Sequence, residues 1–586
     1  MTACNQFSLP PGEGSNLQAS TLLTENLPLL AGAPNGIKKL RELILELAVR
    51  GKLVPQDSRD EPANELLKRI DEEKARLVTA GTIKKQKQLA EIAPEEKPFE
   101  VPTNWEWVRV SAVGHDWGQK TPDQEFTYID VGSVDNAAGV ISTPQVVTAE
   151  DAPSRARKVV STGTVIYSTI RPYLLNVAVI DETYLQEPIA STAFAIIHPY
   201  LEMPSRYFLW YLRSPIFVRY VESVQMGIAY PAINDGQFFS GLIPLPPLAE
   251  QHRIVAKVDE LMALCNRLEA RQADAENAHV QLVHVLLDSL TQAADAADFA
   301  AGWQRLAEHF HTLFTTESSI DALKQTLLQL AVMGKLVPQD PSDEPASELL
   351  KRLIREKSQL VAEGQTKKQK LLTESVEEKK PFAVPKSWEW CRVSDLISIK
   401  HGYAFSSSFF CESVSSYVLT TPGNFFEAGG FRDRGDRTKY YCGPVDQEFI
   451  LDPGDIIVAM TEQAAGLLGS AAFIPNDGKI YLHNQRLGKL IFNSELISSE
   501  YIFHYFNGAF LRSCVADSST GMKVKHTSPG KIGTVFFPLP PLAEQHRIVA
   551  RVDQLIALCD QLKTRLSQAR RLNEQLASTL VDQAMT

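Results

Sequence analysis

The sequence predicts an α+β protein in which two globular α/β-type domains are joined by long antiparallel coiled-coil helices, with pseudo-twofold symmetry and a circular arrangement of repeats. Three observations carry that class. PLPPLAEQHRIVAKVDELMALCNRL at Pro244 to Leu268 returns as PLPPLAEQHRIVARVDQLIALCDQL at Pro538 to Leu562. GKLVPQD stands at Gly51 to Asp57 and again at Gly334 to Asp340, each copy followed by a charged helix-like run and a Trp-x-Trp. Between each Trp-x-Trp and the next prolyl stretch, short β-branched runs alternate with turns, as in FTYIDVGSV, GTVIYSTI, LLNVAVI and STAFAIIHP.

The elements follow in order. Residues 1–36 read as a mobile leader without periodicity. A helical block over 37–97 opens with an amphipathic helix whose Leu40, Leu43, Ile44 and Leu47 share a face, with Gly51 as its stop. A second, Glu/Lys-rich helix spans Pro62 to Ala80. Lys84, Lys85 and Lys87 after it read as a solvated turn ahead of a phosphate contact. The first globular domain covers 98–247 and contains a helix at Ser205 to Ser214. Pro244, Pro246 and Pro247 should be extended, with Pro247 in the first turn of the helix that follows.

A central region over 248–380 holds that long helix (248–290), an Ala/Asp-rich joint and the second copy of the opening block. The second globular domain covers 381–541, and a closing long helix 542–586. In the first long helix Val258, Leu261, Cys265, Leu268, Ala275, Leu282 and Leu286 fall on spacings of about 3.5 residues. In the second, Val552, Leu555, Cys559, Leu562, Leu566, Ala569, Leu576 and Leu580 repeat the pattern. A rod cannot bury such a stripe alone, so the other copy is the expected partner. The middle of the chain carries the unit long helix then GKLVPQD helices unbroken, and the two ends carry the same unit cut in two, which predicts that the termini come together.

The composition excludes several classes. No apolar run approaches membrane-spanning length, and the N-terminus lacks the pattern of a secretion signal. Seven cysteines without Cys-x-x-Cys spacing support neither a zinc site nor a disulfide framework, and suit a reducing cytoplasm. Phosphate-binding loops, dinucleotide fingerprints, nucleophile elbows and zinc-protease motifs are all missing, as is the Asn/Asp-Pro-Pro-aromatic tetrapeptide of amino-methyltransferases. His252 and His546, in the repeated Glu-Gln-His-Arg, read as structural contacts rather than catalysts.

Recognition chemistry remains. FRDRGDRTKYY offers Arg432, Arg434, Arg437 and Lys439 in a Gly-containing loop, and forked guanidiniums pair with guanine edges or phosphates. The bland alternative is a loop neutralised by Asp433 and Asp436. GMKVKHTSPGK brings Lys523, Lys525 and His526, and its counterpart GIAYPAINDGQ brings Tyr230 and Asn234. Lys158 and Arg171 complete the set in the first domain. Net charge opposes tight binding by the chain alone: the whole carries −11, and the residues between Pro102 and Pro246 hold 9 Lys/Arg against 14 Asp/Glu.

The paired prolyl-helix stretches, the Trp-Glu-Trp entries and the two strand-rich domains resemble the specificity (S) subunit of type I restriction-modification enzymes, over nearly the whole chain beyond the leader. The resemblance implies two target recognition domains, each reading one half of a bipartite asymmetric site in double-stranded DNA, with the antiparallel helices as a ruler. It implies two modification (M) subunits that carry S-adenosylmethionine and methylate adenine. Restriction (R) subunits would carry ATP and Mg for translocation and cleavage. The chain itself would then be non-catalytic and free of cofactor, acting in cytoplasmic host defence. The rival from another class is a coiled-coil scaffold that shows two domains to protein partners and does not bind DNA.

Overall fold

The computed structural model describes residues 30–85, 89–227, 229–293, 296–362, 380–411, 415–520 and 524–585. The chain forms two compact units. One runs to Ala275 and takes in the chain again from Gln568; the other is Glu276–Ser567. Each long helix therefore starts in one unit and ends in the other.

In the first unit α1 (Gly36–Val49) and α2 (Ala63–Thr79) precede the globular domain. That domain holds a four-stranded sheet in the order Gln145–Val147, Phe126–Ile129, Pro188–Ser191, Ala156–Val159. A six-stranded sheet runs Gly114–His115, Phe194–Pro199, Val165–Ser168, Val177–Val179, Val140–Ile141, Val134–Asp135. Ile129, Ile166, Ala178, Phe194 and Ile196, the inward residues of the β-branched runs, are fully buried in one cluster of its core. Next come α3 (Ser205–Leu212) and the 44-residue α4 (Leu248–Thr291).

The second unit repeats the plan with α5 (Glu317–Val332), α6 (Ala346–Ala362), a four-stranded and a five-stranded sheet, α7 (Ser499–Asn507) and the 44-residue α8 (Leu542–Met585). At ~1.5 Å per residue each long helix spans about 66 Å.

The recurring motifs share one buried junction in each unit. The Trp-x-Trp strand Glu106–Arg109 pairs antiparallel with the prolyl strand Leu242–Leu245, setting Trp107 opposite Pro244; Trp390 stands opposite Pro538 in the same way. Trp105 Nε1 donates to Glu250 Oε2 (2.9 Å), and Gln56 of GKLVPQD donates to Oε1 of the same carboxylate. Trp388 and Gln339 do likewise to Glu544. Gly51 and Gly334 sit at φ 69° and 70°, where a Cβ would come within 2.6 and 2.5 Å of the Pro102 and Pro385 rings. Only glycine fits both the backbone and the gap. Arg253 closes on Asp60 and Arg547 on Asp343. The near-identity of the copies thus reflects three separated motifs that must interlock twice.

Two tyrosines one turn apart tie each globular domain to this junction. Tyr207 and Tyr211 on α3 donate to the carbonyls of Pro244 and Leu242; Tyr501 and Tyr505 on α7 donate to those of Pro538 and Phe536. All four rings are buried. Tyr207→Phe is expected to lower stability by about 1 kcal/mol, since the Pro244 carbonyl loses its phenol donor, and Tyr207→Phe/Tyr211→Phe by about twice that. The shift of the denaturant midpoint measures it.

Circular completion is met in the first unit, and the unbroken middle copy makes the corresponding contacts in the second. Ala577, Leu580 and Val581 of α8 join the core with Leu40 and Ile44 of α1, and Lys39 Nζ reaches Ser578 Oγ (2.5 Å). Val283, Leu287 and Leu290 of α4 pack with Ile320, Leu323 and Leu327 of α5.

Several expectations are corrected. Ala275, Leu282, Ala569 and Leu576 are exposed, and the residues after the two leucines, Val283 and Ala577, are buried instead. A straight helix drifts about 20° per heptad against a strict seven-residue repeat, so after three to four heptads the inward position has advanced by about one residue. Leu30 and Ala33, assigned to the leader, are buried in the first core, while residues 1–29 lie outside the described residues. Cys411 and Cys442 form a disulfide, against the reading of every cysteine as single. Pairing of Phe410 with Tyr441 and of Cys411 with Tyr440 brings the two sulfurs together across adjacent strands, which spacing along the chain does not reveal. His252 and His546 are exposed, and the structural contacts of Glu-Gln-His-Arg are made by its Glu, Gln and Arg.

Candidate nucleic-acid interface

The two loops ahead of the prolyl strands are built alike. In the first domain, the N–H and C=O of Met226 and Ala232 exchange hydrogen bonds of 2.9 Å. Arg171 N–H donates to Pro231 O (2.8 Å) and Ile233 N–H to Thr169 O (2.9 Å). In the second, Thr520 and His526 exchange hydrogen bonds, Glu462 N–H donates to Lys525 O (2.9 Å) and Thr527 N–H to Met460 O (3.0 Å). Each loop is thereby fixed to the segment following one central strand, Val165–Ser168 or Ile456–Ala459. The backbone hydrogen bonds are shared, although Arg171 takes a left-handed φ of 48° and Glu462 does not, and the side chains differ at each of these positions.

The first loop displays Tyr230 at 71% exposure with the Arg171 guanidinium 5.0 Å from its ring centroid. Met226, Tyr173 and Leu174 are exposed beside Arg171 in sequence or across the loop. An exposed basic-aromatic cluster on a loop held by a rigid sheet is the composition of a nucleic-acid contact. Asn234 is exposed, with Oδ1 committed to accepting from Gln237 N–H at the start of a short helix (2.9 Å). Lys158 is corrected as a surface contact. Its side chain is only 3% exposed, and Nζ is held by Asp235 (2.6 Å) and Asp116 (3.0 Å). Burial opposes its charge, but the two carboxylates outweigh it and hold the ammonium above its ordinary pKa. It steadies the loop through Asp235, the neighbour of Asn234.

In the second domain Lys525 and His526 are exposed, with His526 Nδ1 3.2 Å from Thr461 Oγ1. Lys523 lies outside the described residues, as does Lys87. Arg437 and Lys439 are exposed, and Lys439 Nζ lies 5.9 Å from the Phe410 ring centroid. Arg432 and Arg434 are half-buried. Arg432 pairs with Glu427 (2.7 Å) over the Phe426 ring, and the Arg434 guanidinium lies against Gly423. Asp433 does not neutralise Arg432. It accepts from Gly435 N–H and pairs with Lys479, and these two interactions hold its carboxyl below the ordinary range.

A second cluster lies away from the loops. His115, Trp117, His198 and Tyr200 touch ring to ring, with centroids 4.4 to 5.4 Å apart. Burial, reinforced by His115, pushes His198 down to about 4, so both rings are neutral at pH 7. Tyr207, Tyr211, Glu250 and Glu462 have structural roles that motif reading passed over. The first three were detectable as identical residues at matched places in the two copies.

Among the described residues no three His, Cys, Asp or Glu side chains stand where they could hold a metal ion, and no helix is long and apolar enough to cross a membrane.

Residues 102–276 and 385–569 match the family model described as the type I restriction modification DNA specificity domain, each segment taking in one globular domain and the start of the long helix after it. The type I restriction enzyme EcoAI specificity subunit of Escherichia coli is 39% identical over 559 residues, covering 94% of each chain. The EcoEI specificity subunit of Escherichia coli is 36% identical over 563 residues, again covering 94% of each. A solved chain from work described as the structural basis underlying complex assembly and conformational transition of the type I R-M system superposes with a TM-score of 0.52 at 23% identity, over 83% of this chain and 99% of that one. Two domains on one plan, carrying different loops on near-identical helical junctions, thus find their relatives along almost the full length, and the chain belongs to the DNA specificity subunits of type I restriction-modification enzymes, with two target recognition domains.

Proposed function

We propose that each recognition domain reads one half of a bipartite asymmetric site in double-stranded DNA, the first over 98–247 and the second over 381–541. The observation that carries this is the pair of loops whose described residues match in four backbone hydrogen bonds and differ in side chains. Two readers of unlike sequences need that combination. Arg171, Tyr230 and Asn234 serve the first domain, with Lys158 as a positioning residue. Arg432, Arg434, Arg437, Lys439, Lys523, Lys525 and His526 serve the second. The two helices of 44 residues set the unread spacer.

Two M subunits carrying S-adenosylmethionine methylate adenine at the chosen site, and R subunits carrying ATP and Mg cleave, all in the cytoplasm. The acidic balance of the chain, −11, fits a reader that borrows cationic surface from those partners. Methylome sequencing of cells carrying this chain with its M subunit tests the proposal. A split motif of two unlike halves with a constant spacer is expected. A single uninterrupted motif, or none, would sink it.

A further inference from the structure

We propose that one structurally shared position, occupied by Arg171 in the first domain and Glu462 in the second, is a base-reading position of both, with Arg171 reading a guanine and Glu462 the amino group of a cytosine. This rests on the proposed DNA-reading function. The equivalence is set by hydrogen bonds: Arg171 donates its N–H to Pro231 O and Glu462 its N–H to Lys525 O, each one residue before the loop residue that closes the hairpin, Ala232 or His526. The preceding residues, Ile170 and Thr461, bridge to Ala232 and His526 in the same antiparallel sense.

The opposite charges decide what the position does. A phosphate contact calls for a cation in both domains, and a carboxylate would be repelled by the DNA backbone. A base-reading position calls for a donor fork where the base edge accepts and for an acceptor where it donates. Arg171 offers the fork. It is exposed, its guanidinium lies beside the Tyr230 ring, and its backbone is held at φ 48° and ψ 57°, a left-handed conformation costly for arginine. Guanine presents O6 and N7 to such a fork in the major groove.

Glu462 offers the acceptor. It is half-buried, its Oε1 takes the Gly466 N–H (2.9 Å), and the Arg512 guanidinium lies near enough to interact with its charge, so the carboxylate is held in place with Oε2 as the acceptor a base would meet. Cytosine presents only its N4 amino group as a polar atom in the major groove. Adenine places N7 beside its amino group, where a carboxylate is repelled.

The test is methylome sequencing of the whole complex with wild-type chain, Arg171→Lys and Glu462→Gln, each first checked for an unchanged thermal transition. Lysine keeps the charge and loses the fork; glutamine keeps an acceptor for Gly466 and loses the anion. Arg171→Lys is expected to lose about tenfold discrimination at one guanine of one half-site. Glu462→Gln should lose about as much at one cytosine of the other half, each leaving the opposite half intact. Unchanged motifs in both variants overturn the inference while the split wild-type motif stands. A uniform loss over all sequences also overturns it, because that is the signature of a phosphate contact or a structural cap. A wild-type chain without a split motif overturns the proposed function and this inference together.

Discussion

Glu250→Ala lowers the stability of the first unit by about 2 kcal/mol or more, because the Trp105 donor is left buried without an acceptor, while the exposed Gln56 amide keeps only the Gly51 carbonyl. Arg253 also loses a neighbouring opposite charge, while Asp60 is relieved of a like one. Glu250→Gln costs about 1 kcal/mol or less. Gln56 can turn its amide so that its oxygen accepts from the new nitrogen while Trp105 keeps an oxygen partner. Glu544→Ala and Glu544→Gln should repeat the contrast in the second unit through Trp388 and Gln339.

Denaturant unfolding of the full chain, followed separately for each unit by limited proteolysis, measures both. Equal losses for Ala and Gln would mean that the anion rather than the donor pairing matters. The pH dependence has a definite sign. Burial raises the Glu250 carboxyl above its ordinary 4.5, against the lowering by Trp105 and Gln56. Just above pH 4.5 the folded chain keeps a proton that the unfolded chain has released, so this group's contribution is complete below 4.5 and fades as pH rises through the folded value. Glu250→Gln, which does not titrate, should therefore compare worst with the wild type in acid and best at neutral pH.

Removing one heptad from the exposed middle of each long helix, residues 271–277 of α4 and 567–573 of α8, is expected to shorten the preferred spacer by about three base pairs. Seven residues carry ~10.5 Å of helix, and DNA rises ~3.4 Å per step. The deletion turns the remaining helix by only about 20°, so the inward residues on either side keep their faces. No fully buried residue is removed. Methylation of the original site should fall by more than a hundredfold, and the same two half-sites should reappear at the shorter spacing. Half-sites that change while the spacer stays would refute a ruler. Deleting four residues instead turns the helix end by about 40° and should disturb packing of Val283 or Ala577, giving a stability loss the heptad deletion does not.

The duplication, the helix lengths and the family were legible in the sequence. They depend on local signals: a prolyl stop before a helix, an apolar repeat, and motifs that recur because the same junction is built twice. α4 begins at Leu248 as expected and ends at Thr291, one residue beyond the expected limit. Lys525, Tyr230 and Arg171 also stood out, since exposed loops advertise their charge and aromaticity.

What the sequence did not expose were pairings between distant residues. Lys158 looked like any surface lysine until Asp116 and Asp235 closed around it. The Cys411–Cys442 bond spans a separation of 31 and exists because two short strands lie side by side. Glu462 matched no motif and gained meaning from the hydrogen bond that aligns it with Arg171.

By itself, then, the sequence determined which segments become helix, strand and loop, and that the plan is repeated, because periodicity and turn chemistry act over a few residues. The tertiary structure alone decided which charges face solvent and which sulfurs meet. Those outcomes depend on strand register and on packing between segments tens of residues apart, and neither leaves a mark on neighbouring letters of the chain.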